Sequence, residues 1–229
     1  FGFLDYGSLV VHDLQTGDQV REYFGHDPNS PVYDVMFLPG GQQMISGSGD
    51  DSLILWDVNS GQVIERFTGH DGSIVTLDHS NNGTVALTAG GDLTARVWDL
   101  ISGAAAQPFG LSVGRHVQFS PDGRYFLTDT SSHLLLYDAN SGILEQFFPA
   151  QGFGTLQALT FSPDGRYIAG TFQPGVAMWD VNSSELVRRW DGFEDEDVDT
   201  PDAGNLPLRS FLSLGPLAFS PDSGQVAII

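Results

Sequence analysis

Apolar residues along this chain occur in short consecutive runs, and the runs are separated by residues that favour turns. Leu53-Ile54-Leu55 and Leu134-Leu135-Leu136 are examples, and Gly, Pro, Asn and Asp collect between such runs. A strand with one wet face alternates apolar and polar residues, whereas a strand covered on both faces need not. No segment keeps apolar residues at the spacing of a helix over a dozen positions. The pattern therefore predicts an all-β chain whose inner strands are covered on both faces.

The pattern also repeats. Ser46–Asp57 and Thr88–Asp99 share one plan, in which a hydroxyl residue precedes an Asp by four positions and that Asp precedes a Trp by six. Aromatic residues fill the same slot at 56, 98, 137 and 179, at intervals of 42, 39 and 42. A period near forty is typical of a propeller blade. We therefore expect a β-propeller built from four-stranded antiparallel blades.

The period predicts four complete blades, a half-blade at each end and one insertion. Phe161 and Phe219 are 58 residues apart, whereas Phe119 and Phe161 are 42 apart, which places the insertion before the last unit. The expected boundaries are a half-blade at 1–26, blades at 27–68, 69–110, 111–150 and 151–192, an acidic insertion at 193–213 and a half-blade at 214–229.

The ends of the chain leave two ways to close a ring. The half-blade at 214–229 could pair with the N-terminal one to form a composite fifth blade. Alternatively, the chain is a window from a longer protein with a larger ring. We favour the longer protein, because the sequence opens at Phe1 in the middle of a repeat and unpaired strand edges are costly.

Several short motifs recur in a fixed order. Gly-His pairs stand at 25–26 and 69–70, Phe-Ser-Pro-Asp-Gly turns at 119–123 and 161–165, and Trp-Asp pairs at 56–57, 98–99 and 179–180, with Tyr137-Asp138 as a weaker copy. This ordered set resembles the WD40 repeat family. The resemblance implies two buried hydrogen-bonded tetrads of structural role, His26, Ser46, Asp50 and Trp56, and His70, Thr88, Asp92 and Trp98.

The later units depart from that pattern. Ser131 stands where the fourth unit should have its Asp, and Gln173 stands there in the fifth. The fourth unit has no Gly-His pair, and Gly152 of the fifth is not followed by His. His116 and His133 lack partners at metal-ligand spacing, and we interpret them as structural. Blades without the tetrad must rely on packing alone.

The resemblance implies a non-catalytic module for protein–protein interaction or scaffolding, with no cofactor. A second hypothesis is a structural subunit of an extracellular or cell-surface assembly. A third is a propeller enzyme with a metal in its channel, but the expected channel-facing positions hold Pro31, Val32, Ser73, Gly114 and Leu156. None of these is a good metal ligand, and no nucleophile or phosphate-binding motif is present. We therefore predict that the chain is not an enzyme.

Charge narrows the choice of partner. The chain has 29 acidic residues and nine basic ones, all arginine, for a net charge of −20. Nucleic acids and anionic membrane surfaces both favour cationic proteins. We therefore expect a protein partner or self-assembly, and no membrane insertion, since no run of 18 apolar residues exists. A high net charge favours solubility and also suits high salt. The absence of cysteine excludes disulfides and thiolate metal sites but leaves the compartment open.

The insertion is the most distinctive segment of the chain. Its acidic run lacks the spacing and the turn glycine of a calcium loop, so Asp195, Asp197 and Asp199 are only weak candidates for metal ligands. A block of like charge is typically a solvated loop or an interaction segment. The candidate partner-binding residues are Phe193, Glu194, Asp195, Glu196, Asp197, Asp199 and Phe211.

Overall fold

A computed structural model describes residues 7–109, 114–173, 175–191 and 217–228. These residues form twenty short strands and no helix, so no helix of the described chain could cross a membrane. The strands are β1 (Ser8–His12), β2 (Gln19–Phe24), β3 (Val32–Phe37), β4 (Gln43–Ser48), β5 (Ser52–Asp57), β6 (Val63–Thr68), β7 (Ile74–His79), β8 (Val85–Gly90), β9 (Ala95–Asp99), β10 (Ala105–Phe109), β11 (Val117–Phe119), β12 (Tyr125–Asp129), β13 (His133–Asp138), β14 (Leu144–Pro149), β15 (Leu156–Phe161), β16 (Tyr167–Phe172), β17 (Gly175–Asp180), β18 (Leu186–Asp191), β19 (Leu217–Phe219) and β20 (Val226–Ile228).

The strands form four four-stranded sheets and two pairs. Strands adjacent in the chain are adjacent in each sheet: β3 to β6, β7 to β10, β11 to β14 and β15 to β18, with β1–β2 and β19–β20 as the pairs. The pairing is antiparallel, as in β3–β4, β4–β5 and β5–β6. This confirms the predicted all-β chain of four-stranded, blade-like antiparallel sheets. Residues cluster into two compact units, Phe1–Thr130 with Leu136–Glu145, and Ser131–Leu135 with Gln146–Ile229.

In the first unit, burial follows the position of a strand in its sheet. The middle strands β4 and β5 are buried along almost their whole length, whereas the last strand of the sheet, β6, buries only Phe67. Leu53, Ile54 and Leu55 are at most 2% exposed although they are consecutive. Side chains on both faces of β5 are therefore covered, as the run of apolar residues predicted.

Aromatic rings from β2 and β6, the last strands of their sheets, complete this core. Tyr23 of β2 meets Trp56 edge-to-face with ring centroids 5.8 Å apart, and Phe67 of β6 meets Trp98 in the same way at 5.7 Å. Such contacts add about 0.5–1.5 kcal/mol beyond the area they bury. The Tyr23 hydroxyl also donates to the backbone oxygen of Val58 at 2.8 Å. Trp56 and Trp98 are thus each in contact with an aromatic ring from the sheet that precedes theirs in the chain.

The second unit has an aromatic core of its own. Phe153, Phe172 and Trp179 pack with their ring centroids 5.2–6.0 Å apart, and each side chain is buried. The neighbouring positions in β16 and β17 are small or aliphatic, and Ile168, Ala169, Val176 and Ala177 are all fully buried. This sheet is therefore held by apolar packing around its tryptophan.

Candidate functional site

The first candidate site is a network of hydrogen-bonded polar side chains around His26. The imidazole lies between a carboxylate and a hydroxyl, with Nδ1 3.0 Å from Asp50 Oδ2 and Nε2 2.7 Å from Ser46 Oγ. The indole Nε1 of Trp56 donates to the same Ser46 Oγ at 2.8 Å. Strands β4 and β5 supply the hydroxyl and the indole, and the turn between them supplies the carboxylate.

A second network, around His70, has the same connections. His70 Nδ1 is 3.0 Å from Asp92 Oδ2, and its Nε2 is 2.7 Å from Thr88 Oγ1. Trp98 Nε1 donates to Thr88 Oγ1 at 2.9 Å. The structure thus brings together all four residues of each set that the sequence grouped, with nearly equal distances in the two sets.

Electrostatics fixes the direction of these hydrogen bonds. Burial lowers the pKa of His26 and of His70, although the neighbouring carboxylates act to raise it. A neutral imidazole that donates from Nδ1 to the carboxylate must accept at Nε2, so the hydroxyl donates to it. The hydroxyl oxygen then accepts from the indole. The imidazole, the hydroxyl and the indole N–H of each network therefore all have hydrogen-bond partners.

The carboxylates are held in their charged form. Burial acts to raise the pKa of Asp92, but hydrogen bonds from the Asp71 N–H, His70 and Thr94 outweigh it and lower the pKa to about 2. The pKa of Asp50 is lowered further by equivalent bonds, including one of 2.6 Å from Ser52 Oγ. Arg66 also donates to Ser52 Oγ at 2.6 Å and pairs with Asp50 at 3.3 Å.

The order Ser46, His26, Asp50 has the connections of a hydrolase triad, yet the site is closed. In a triad the serine oxygen must face a substrate, and the imidazole must be able to take its proton. Here Ser46 is 0% exposed, and its oxygen already accepts from Trp56. Thr88 is enclosed in the same way in the His70 network. The geometry joins strands to the loops beside them and leaves no room for a reacting group.

Comparison with known families matches the segments that hold these networks. The profile of the WD domain, G-beta repeat, fits residues 17–57 and 61–99. The first segment contains the whole His26 network and the second the whole His70 network. These two segments are WD40 repeats.

The curated relatives match only parts of the chain. It is 34% identical over 115 residues to the human serine-threonine kinase receptor-associated protein, a match that covers 48% of this chain and 33% of the relative. It is 32% identical over 104 residues to eukaryotic translation initiation factor 3 subunit I of Candida glabrata, covering 45% and 29%. It is 27% identical over 131 residues to the p21-activated protein kinase-interacting protein 1-like of Gallus gallus, covering 57% and 35%. The chain thus spans roughly a third of the length of these relatives.

After the two WD40 repeats, the first unit shows a partial version of the network. Tyr137 stacks on Phe126 with centroids 5.1 Å apart, and the buried hydroxyl of Thr128 has no partner among the described residues. Asp129 accepts from the backbone N–H of His116 at 3.0 Å and lies 3.2 Å from His116 Nδ1. The repeat period placed the acidic residue at 131, and the sequence analysis interpreted His116 as structural without naming a partner for it, so it missed this pair. The repeat period could not reveal the Asp129–His116 pair, because Asp129 does not lie at position 131, where the period places the acidic residue.

The second unit replaces the network with apolar groups. Phe153 follows Gly152 where the WD40 repeats have His, and it meets Trp179 edge-to-face at 5.6 Å. In β4, Ser46 comes two residues after Met44, which pairs with Trp56. The matching residue of β16 is Gly170, two residues after the partner of Trp179. A Cβ at Gly170 would lie 2.9 Å from the Phe172 ring, so a hydroxyl side chain at this position would require that ring to move.

Two further carboxylates, which the sequence analysis missed, connect the first strands of successive sheets. Asp34 Oδ2 of β3 accepts from the backbone N–H of Leu77 in β7 at 3.0 Å. Asp78 Oδ2 of β7 accepts in turn from the N–H of Phe119 in β11 at 2.7 Å. Burial raises the pKa of both carboxyls, and the bonds to these N–H groups oppose the shift. Since Asp is rare inside strands, an Asp within an apolar strand was the available signal.

The remaining sequence-predicted sites lie outside the described residues. These are the weak metal candidates Asp195, Asp197 and Asp199 and the partner-binding candidates Phe193, Glu194, Asp195, Glu196, Asp197, Asp199 and Phe211. In the part of the chain that the structure describes, no group of three or more His, Asp or Glu side chains is placed to hold a metal ion.

Proposed function

We propose that this chain is a non-catalytic module for protein–protein interaction or scaffolding. The observation that carries the proposal is the state of the two polar networks in the WD40 repeats. Their hydroxyl, imidazole and carboxylate groups have the types and order that hydrolysis needs, yet the hydroxyl and imidazole residues are buried, the carboxylates are half-buried, and all are engaged with one another. Satisfied buried networks specify a fold and position its loops. We assign the tetrads to that role, which leaves the surface to carry the function.

The names of the relatives support this class of function. One is named for association with a receptor, another for interaction with a kinase, and a third as a subunit of a larger factor. All three names describe proteins that work in contact with other proteins. We extend that property to this chain as part of the proposal. The matches do not support the alternative of an extracellular structural subunit.

Charge defines the kind of partner that we propose. With a net charge of −20, the chain repels polyanions and attracts basic protein surfaces over about a Debye length. We therefore propose a basic protein partner rather than nucleic acid or membrane. The acidic stretch from Phe193 to Asp199, together with Phe211, stays our candidate for the segment that such a partner contacts.

The test is quantitative affinity purification from the native host, using the protein in its natural length. Wild type is compared with a variant in which Glu194, Asp195, Glu196 and Asp197 are changed to their amides. We expect the wild type to retain a defined set of basic proteins and the amide variant to lose them, with unchanged thermal unfolding.

An unrelated protein of equal size and charge serves as the control. If that control retains the same set, the retention reflects charge alone and the proposal is wrong. If hydrolysis of a broad ester or peptide panel accompanies purified wild type and disappears in Ser46→Ala, the non-catalytic assignment is wrong.

A further inference from the structure

Asn82 and Gly83 lie in the turn between β7 and β8, and the fold requires the glycine. Gly83 has φ = 68°, and a Cβ on it would lie 2.8 Å from the Pro39 side chain. Both the backbone conformation and the lack of space therefore disfavour any other residue there. Asn82 is exposed. The turn thus holds an exposed asparagine directly before a glycine that the fold needs.

The same turn occurs three more times in the chain, with an aspartate in place of the asparagine. The counterparts of Asn82 are Asp122, Asp164 and Asp222. In each turn the side-chain oxygen accepts from the serine hydroxyl two residues earlier, at 2.7 Å for Asn82 and at 2.5–2.6 Å for the aspartates. This serine hydroxyl lowers the pKa of each of the three carboxyls. The turn therefore accepts a charged carboxylate at this position.

The hydrogen bonds around the Asn82 side chain favour attack on its amide carbon. Oδ1 accepts from Ser80 Oγ at 2.7 Å, from Thr84 Oγ1 at 2.9 Å and from Thr84 N at 3.2 Å. When a nucleophile adds to the amide carbon, negative charge develops on this oxygen, and donors already in place stabilise it. The amide nitrogen Nδ2 is the leaving group, and it has no hydrogen-bond partner among the described residues.

We propose that Asn82 is a site of spontaneous deamidation whose aspartate product fits the turn. The backbone nitrogen of Gly83 loses its proton to hydroxide and bonds to Cγ of Asn82. The bond from Cγ to Nδ2 breaks, and this nitrogen takes a proton from water and leaves as ammonia. Water then opens the cyclic imide at one of its two carbonyls and gives aspartate or isoaspartate. The change adds one negative charge, and it is independent of the proposed interaction function.

The fold affects both the rate and the product. Gly83 N donates to Ser80 O at 2.7 Å, and this bond must open before the nitrogen can attack, so the reaction should be slower than in a free peptide. Isoaspartate adds a methylene to the backbone of a turn that is closed by the bond from Ser80 N to Val85 O at 2.9 Å. Aspartate keeps the backbone length and gains a charge-assisted hydrogen bond from Ser80 Oγ. The folded protein should therefore yield more aspartate than the peptide does.

The first arm of the test follows deamidation by mass-spectrometric peptide mapping of the full chain, incubated at neutral and mildly alkaline pH. We expect Asn82 to convert before Asn140, which is also exposed in a turn but precedes Ser141, and to convert faster as hydroxide increases. Thr84→Val removes one donor to Oδ1 and should slow the conversion a few-fold. Conversion of Asn140 as early as Asn82 would overturn the proposal. So would an unchanged Asn82 after a free peptide of residues 78–86 has fully converted.

The second arm measures whether the turn accepts the product. Asn82→Asp reproduces the aspartate, and Asn140→Asp is the matched control, since it adds the same charge in another exposed turn. We expect the thermal midpoint of Asn82→Asp to equal or exceed that of the control, and a lower midpoint would contradict the proposal. Electron-transfer fragmentation distinguishes aspartate from isoaspartate in the incubated samples. A ratio of aspartate to isoaspartate no higher in the folded protein than in the peptide would also contradict it.

Discussion

The WD40 repeats and the sheet β15–β18 hold the same strand plan together by different means. In the repeats, each tryptophan donates to a hydroxyl that continues through His to Asp. In β15–β18, the corresponding tryptophan is enclosed by Phe153 and Phe172. A four-stranded sheet with a buried tryptophan therefore does not require the polar network. The network adds fixed connections between strands and the loops beside them, and the apolar version replaces these with packing.

The largest effect should come from breaking the apolar version. Phe153→Ala removes a buried ring from Trp179 and leaves a cavity, so we expect a loss of about 3–5 kcal/mol in the free energy of unfolding. Denaturant unfolding monitored by tryptophan fluorescence measures it. Phe147→Ala is the control, since Phe147 is 57% exposed and its loss should cost less than about 1 kcal/mol. Equal losses in the two variants would contradict the packing role.

Breaking the polar version should cost somewhat less. Asp50→Ala or Asp92→Ala leaves a buried imidazole without its acceptor, and we expect a loss of about 1–3 kcal/mol for each. Thermal or denaturant unfolding of each single variant measures it. A neutral effect in both variants would contradict the assignment of the tetrads as structural devices.

The partial network permits a finer test. Thr88→Val orphans both Trp98 and His70, so it should cost about 1–3 kcal/mol. Thr128→Val removes a buried hydroxyl that has no partner among the described residues, so it should be neutral or stabilise by about 1 kcal/mol. The same unfolding assay compares the two substitutions. A similar loss in both would show that Thr128 also belongs to a closed network.

The smallest effect concerns pH. Burial lowers the pKa of His26 and His70 in the folded state. At a pH between this lowered pKa and the ordinary pKa of histidine, the unfolded chain therefore binds more protons than the folded chain. Stability is then full at higher pH and is lost as pH falls through about 6.5. We expect a loss of about 0.5–1 kcal/mol between about pH 7.5 and 6.5. The double variant His26→Gln with His70→Gln should lose this dependence. An unchanged dependence would assign it to other groups.

The sequence predicted those parts of the molecule that repeat. The spacing from Ser46 to Trp56 and its copy from Thr88 to Trp98 led to the all-β fold and to the residues that meet in each network. It could not predict Asp34, Asp78 or the Asp129–His116 pair, because their partners are set by tertiary contact between strands and not by the period. The aromatic replacement around Phe153 was missed for a related reason. A substitution shows that a polar group is absent, but not what fills its place.

The backbone of Leu93 illustrates a second limit of sequence patterns. Leu93 follows Asp92 as Asp51 follows Asp50, yet only its φ of 62° shows that leucine is strained there. Local conformation at a turn depends on the hydrogen bonds that close it, and these are shared by both repeats. Residue type and backbone thus agree at Asp51 and disagree at Leu93.

The central claim is that the Ser46 and Thr88 networks are closed structural devices. Hydrogen exchange of the tryptophan indole N–H groups, followed by NMR, tests it most directly. We predict that the Nε1 protons of Trp56 and Trp98 exchange as slowly as the best protected backbone amides of β4 and β8, through global unfolding. Exchange of either indole proton within seconds, while those amides stay protected, would show that the network opens to solvent and would contradict the account.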